Sequence, residues 1–130
     1  MWAEHQPKWT YVFIAASIIV YLFQQGTRFW VYLAFTPALI TRYPWTIVTS
    51  IFLHVDFSHL LFNMFALFLF GTALERRISH RLFATLFIAS GVVGNIGYYF
   101  TAGNYLIPVL GASGAIYGVM GALAVLEPFR

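Results

Sequence analysis

The chain has 130 residues, of which 61% are hydrophobic and only 8% charged, with mean hydropathy +0.79 and a formal net charge of +3. Ordinary soluble domains carry roughly 25% charged residues, so this chain cannot cover a globule with water-facing side chains, and its solvent must be largely lipid. Cysteine is absent, which excludes disulfides, thiol nucleophiles and cysteine-based metal sites; the basic residues lie between apolar runs and form no stripe, which argues against a nucleic-acid partner and for orientation in a bilayer.

The first apolar run, Trp9 to Phe23, follows Pro7 and closes at Gln24-Gln25-Gly26. Roughly sixteen residues at 1.5 Å each give about 25 Å, close to the lower limit for a span, and we expect a transmembrane helix over about 9–25. The next stretch, 27–47, is apolar but broken by Arg28, Pro37, Arg42 and Pro44, and it carries Phe29, Trp30, Tyr32, Phe35, Tyr43 and Trp45. Proline interrupts a spanning helix, whereas Trp and Tyr favour the headgroup level. This reads as a loop lying in the interface, either a plain anchor or a gate for substrate.

The residues from Thr49 to Leu74 hold His54, Asp56, Ser58, His59 and Asn63. Asp56 and Ser58 are N-cap residue types for a helix over about 58–74. His59 and Asn63 are four apart and share one face of it. His54 and His59 are about 140° apart on an ideal helix, a poor pair for a metal, and no metal site is expected. Polar side chains inside a span face the bundle interior, where they either serve function or hydrogen-bond neighbouring helices.

The charge run Glu75-Arg76-Arg77-Ile78-Ser79-His80-Arg81 is a short connection to a third span over about 82–102, where Gly91, Gly94 and Gly97 allow close helix approach and Asn95 is placed to hydrogen-bond across that contact. Ser113 then opens a fourth apolar segment, 113–126, ended by Glu127-Pro128. Its length of about 21 Å falls short of a hydrocarbon core of about 30 Å, which puts Ser113 on the order of 9 Å below the near surface. A loop reaching that depth requires protein or a water-filled cavity around it. Gly111 and Gly114 flank the serine. It is either a helix N-cap or a nucleophile whose glycine neighbours free backbone N–H groups to face an oxyanion.

With four spans, Lys8, Arg76, Arg77, Arg81 and Arg130 fall on one side, and Arg28 and Arg42 on the other. The richer side is cytoplasmic, so the N-terminus faces the cytoplasm. The starts of the second and fourth helices then face outward together, at similar depth.

These clusters resemble the rhomboid family of intramembrane serine proteases. The matching residues are His54-x4-His59-Leu60-x-x-Asn63-Met64 and Gly111-Ala112-Ser113-Gly114, with Gly71, Glu75-Arg76-Arg77 and Pro44-Trp45 in support, across about 43–121. The resemblance implies an all-α polytopic membrane protein, a rhomboid-like helical bundle with four transmembrane helices in residues 1–130, whose first large loop is 27–47. It implies that Ser113 is the nucleophile, and that His59 and Asn63 donate hydrogen bonds to the oxyanion together with the Ser113 N–H. His54 would brace the loop around the site, with Gly111, Gly114 and Tyr117 supporting it; Tyr117 would pack against the family's catalytic histidine, or serve simply as a core aromatic. Substrates would be transmembrane proteins cleaved near the outer interface in the lipid bilayer, with no cofactor; the oligomeric state is not implied. The family's general base is a histidine on a sixth helix, and a chain ending at Arg130 after four helices is expected to be the N-terminal portion of such a protein. His5, His80 and Lys8 lie on the wrong side to replace that base. Trp45 is followed by Thr46, where relatives commonly have arginine. The alternative is a non-catalytic rhomboid-like protein that binds transmembrane helices without cutting them.

Overall fold

The computed structural model describes residues 6–126; the helix stop expected at Glu127-Pro128, and His5 and Arg130, lie outside the described residues. Four main helices carry the fold: α1 (Trp9–Gln24), α2 (Phe57–Glu75), α3 (His80–Thr101) and α4 (Ser113–Leu126). Among the described residues there is no strand beyond one isolated antiparallel bridge, between Phe35 and Val109. By length and composition α2 and α3 are able to cross a membrane, whereas α1 and α4 are shorter apolar helices.

Local chemistry sets the helix starts. Asp56 caps α2, its carboxylate accepting the His59 N–H at 2.8 Å, while Ser58 falls inside the helix. Ser79 caps α3 by accepting the Leu82 N–H at 3.0 Å. This starts α3 at His80, ahead of the apolar run that places it at about 82. Helix α2 is not uniform: it is α-helical to Ala66, widens into a π turn over Leu67–Gly71, and resumes as α-helix over Thr72–Glu75.

The core lies where the four helices meet. Phe13 of α1 stacks on Phe87 of α3 with centroids 4.3 Å apart, and Leu67, Phe83, Ala115 and Val119 are wholly buried beside them. The small residues bring α3 and α4 together: a Cβ on Gly94 would lie 3.6 Å from the Gly114 Cα, and one on Gly118 would collide with the Ser90 hydroxyl. Gly97 has open space around it and takes no part in this contact. Outward faces are as apolar as the core, with Ile19, Leu22, Phe62, Phe65, Val93 and Phe100 exposed; apolar surface this extensive fits a lipid solvent.

The 27–47 stretch is docked. Phe35 and Val109 exchange backbone hydrogen bonds of 3.1 and 2.8 Å, and the Ala38 N–H reaches the Tyr105 carbonyl at 3.0 Å. The Trp45 indole donates to the Tyr32 carbonyl at 2.8 Å. The long loop thus pairs with the loop that leads into α4, and it holds the approach to Ser113.

Candidate active site

Ser113 is the first residue of α4, and its hydroxyl crosses to α2, donating to Asn63 Oδ1 at 3.2 Å. Asn63 is largely buried. Its amide nitrogen donates to the His59 carbonyl one turn back at 2.8 Å. The resting amide therefore accepts from the serine, while its nitrogen, with two hydrogens, keeps one more to offer.

Gly111 shapes the approach. Its φ is +128°, where side chains are rarely tolerated, and a Cβ there would meet the His59 ring at 2.6 Å from Cε1 and 3.0 Å from Nε2. Glycine is thus required twice, for backbone conformation and for the imidazole that lies against it. The Gly111 N–H donates to the Ser50 carbonyl at 2.9 Å. Ser50 Oγ in turn accepts from Asn95 at 3.0 Å, and the same amide group reaches the Ile47 carbonyl at 2.8 Å. Asn95 therefore bonds across from α3 to the segment that holds Gly111, and not to α4.

His54 is wholly buried, with its ring centroid 5.0 Å from that of His59 and neither ring nitrogen in a hydrogen bond of ordinary geometry. Burial first, and the nearby His59 second, push its imidazole down to about 4, although the Phe52 carbonyl favours the protonated form. It lines a cavity of about 460 Å³ with Gln24, Trp30, Pro108 and Leu110. Tyr117 is exposed on α4. With Ser90, Gly94, Gly114 and Gly118 it lines an open groove of about 510 Å³ between α3 and α4. Ser113 itself is exposed and directly precedes Gly114, which lines that groove; the short length of α4 leads one to expect a wet pocket with the serine at its floor.

Two participants were not legible as such. Glu75, within the charge run, is wholly buried. Its carboxylate accepts the N–H groups of Trp9 and Thr10 at 2.9 Å each and the Thr10 hydroxyl at 2.8 Å. His80 Nδ1 lies 2.8 Å from it. Gln24, a helix-ending residue by sequence, grips the main chain of His54 at the opposite end of α1, donating to its carbonyl at 2.8 Å and accepting its N–H at 3.1 Å. No cluster of three or more metal-ligating side chains occurs among the described residues.

This is an all-helical bundle that joins a serine to an amide, with an imidazole against the turn that precedes the serine, in a lipid-facing protein. The family profile described as the rhomboid domain matches residues 41–130, and the chain belongs to the rhomboid family. It is 44% identical over 86 residues to the YdcA protein of Bacillus subtilis, covering 66% of this chain and 43% of that one. It is 36% identical over 126 residues to Rhomboid protease GluP of the same organism, covering 91% and 24%. To the mitochondrial Rhomboid protein 1 of Saccharomyces cerevisiae it is 31% identical over 131 residues, covering 95% and 38%. The chain thus spans less than half the length of these relatives.

Proposed function

We propose that this chain is part of an intramembrane serine endopeptidase, with Ser113 as the nucleophile that attacks a peptide carbonyl of a transmembrane substrate near the outer interface. The observation that carries this reading is the 3.2 Å hydrogen bond from Ser113 to Asn63, formed where the starts of α2 and α4 meet. The developing oxyanion takes the free N–H of Asn63, the His59 ring N–H and the backbone N–H of Ser113, donors held in a low-dielectric setting where they count most. His54, Gly111, Gly114 and Tyr117 shape the surroundings. Acyl transfer from a serine needs no metal or soluble cofactor, but it does need a base. Lys8 and His80 belong to the far end of α1, by Glu75. His59 and His54 already hold other roles in this reading, which assigns the base to another part of the protein, entering by the groove that Tyr117 and Gly114 line beside Ser113.

Residues 1–130 form the membrane domain of this reading. All four helices cross the bilayer, the 27–47 loop lies in the outer interface, and the Arg76-Arg77-Arg81 end faces the cytoplasm. Substrate helices that unwind locally expose a peptide bond at lower cost.

The test uses the full natural protein, reconstituted in vesicles with a transmembrane substrate. Ser113→Ala abolishes cleavage, and Asn63→Ala weakens it by about 10²-fold or more, as for oxyanion donors generally. Undiminished cleavage by Ser113→Ala sinks the assignment. Absence of cleavage in the wild type, with substrate helices still co-purifying, favours the non-catalytic helix binder.

A further inference from the structure

We propose that Gln24, at the end of α1, is a positioning residue for the site and sets the tautomer of His59 through the main chain of His54 and Val55. The inference rests on the reading of His59 as an oxyanion donor.

The geometry runs through four residues. Gln24 holds both main-chain polar groups of His54, its Nε2 donating to the carbonyl at 2.8 Å and its Oε1 accepting the N–H at 3.1 Å. A side-chain amide bonded in this way reproduces the double contact of two paired strands, and it holds the two peptide units on either side of the His54 Cα. The second of these units joins the His54 carbonyl to the Val55 N–H, which donates to His59 Nδ1 at 3.3 Å. A ring nitrogen that accepts a hydrogen bond carries no proton, so the proton of a neutral His59 sits on Nε2; which imidazole nitrogen is protonated is decided by the bond the other makes. Nε2 is also the ring nitrogen on the Gly111 side: a Cβ there would be 3.0 Å from Nε2 and 3.7 Å from Nδ1. The donor thus faces the turn that delivers Ser113.

Nothing in helix α2 supplies this control. The His59 N–H is engaged by Asp56 and its carbonyl by Asn63, and both hold the backbone, not the ring. Loss of the Gln24 grip leaves the 54–55 peptide free to rotate, and the ring then samples both tautomers, one of which turns an acceptor toward the oxyanion. A misplacement on the order of 1 Å at such a donor costs up to about 10² in rate.

The experiment compares Gln24→Met, which keeps the length of the side chain without its amide, with Gln25→Met in the full protein. Gln25 also lines the cavity, but its side chain bonds only back to the Tyr21 carbonyl at 2.9 Å. Gln24→Met is expected to lower kcat about tenfold or more with KM unchanged within about twofold, while Gln25→Met leaves both as they were. The imidazole nitrogens of a histidine-labelled sample of the full protein can be read by 15N NMR, with the His59 signals assigned by their loss in His59→Gln. The His59 signals should report protonated Nε2 in the wild type and a mixture of tautomers in Gln24→Met. If Gln24→Met fails to fold, Gln24→Glu keeps the acceptor for the His54 N–H, loses the donor to its carbonyl, and should show the same mixture. Wild-type kcat in Gln24→Met, or an unchanged His59 spectrum in the variant that folds, overturns the proposal. The nitrogen spectrum needs no turnover, so it judges Gln24 even if Ser113→Ala shows the serine reading to be wrong.

Discussion

A buried imidazole with no ordinary hydrogen bond costs about 1–3 kcal/mol in unmet polar groups, and His54 is in that position. Its neutral form is the tolerable one. Folding moves its pKa from the ordinary 6.5 to about 4, so between those values the unfolded chain binds more protons than the folded one. Stability then rises with pH across the window and is flat, for this group, above it. Acidification from pH 6.5 toward 4 should lower the unfolding free energy of the wild type in detergent, and His54→Phe should lose that part of the slope. A His54→Phe variant with the wild-type pH dependence would show that His54 does not titrate in this way. His59 contrasts with it, being placed by contacts on three sides: Val55 on the ring, Asp56 on the N–H and Asn63 on the carbonyl. One histidine is held by exclusion and the other by hydrogen bonds, which is why the second is the better placed to donate.

At the scale of elements, α1 is clamped at both ends by groups far away in sequence. The first N–H groups of a helix have no partner within it. Lys8, at the N-cap, offers no side-chain bond, and Glu75 takes its place. The carboxylate sits at the C-terminal end of α2, which its charge opposes, but it faces the positive ends of α1 and α3. Glu75→Ala leaves the Trp9 and Thr10 donors buried without this acceptor, and is expected to destabilise the protein by about 3–5 kcal/mol and to speed amide exchange in the first turn of α1. A loss under about 1 kcal/mol by equilibrium unfolding would mean that water replaces the carboxylate easily. The contrast between these caps explains what the sequence makes legible. Asp56 caps a helix that starts one residue later, and short-range chemistry of that kind can be read from a string of residues. The partners of Glu75 lie 65 and 66 positions away; without the fold, Glu75 is one more charge in a charged turn. Gln24 likewise reads as a helix end because its partner is 30 residues off. The His59 and Asn63 face was legible from a spacing of four, whereas the π turn at Leu67–Gly71 leaves no mark in the apolar pattern that continues through it.

At the scale of the whole molecule, the candidate site is built from two layers and open on a third side. Helix α2 brings the amide and imidazole, α4 brings the serine, and the loop bridge at Phe35 and Val109 holds the turn between them. The side toward α3 and Tyr117 remains a groove, and Gly114 offers a way to ask whether a further segment of the protein packs there. Within the described residues, a Cβ on Gly114 would meet nothing closer than 3.7 Å, at the Ser90 carbonyl oxygen, which is ordinary van der Waals contact. Alanine there should therefore fold without strain on the α3–α4 contact, and its helix propensity exceeds that of glycine by about 1 kcal/mol. If a base-bearing helix seats in the groove, the added methyl holds it away from Ser113. Gly114→Ala in the full protein is then expected to lower kcat about tenfold or more with the melting temperature unchanged or raised. A fall in activity and stability together would instead place the damage in the α3–α4 contact. Full activity would mean that nothing packs closely against Gly114, and that the proton of Ser113 leaves by another side of the site.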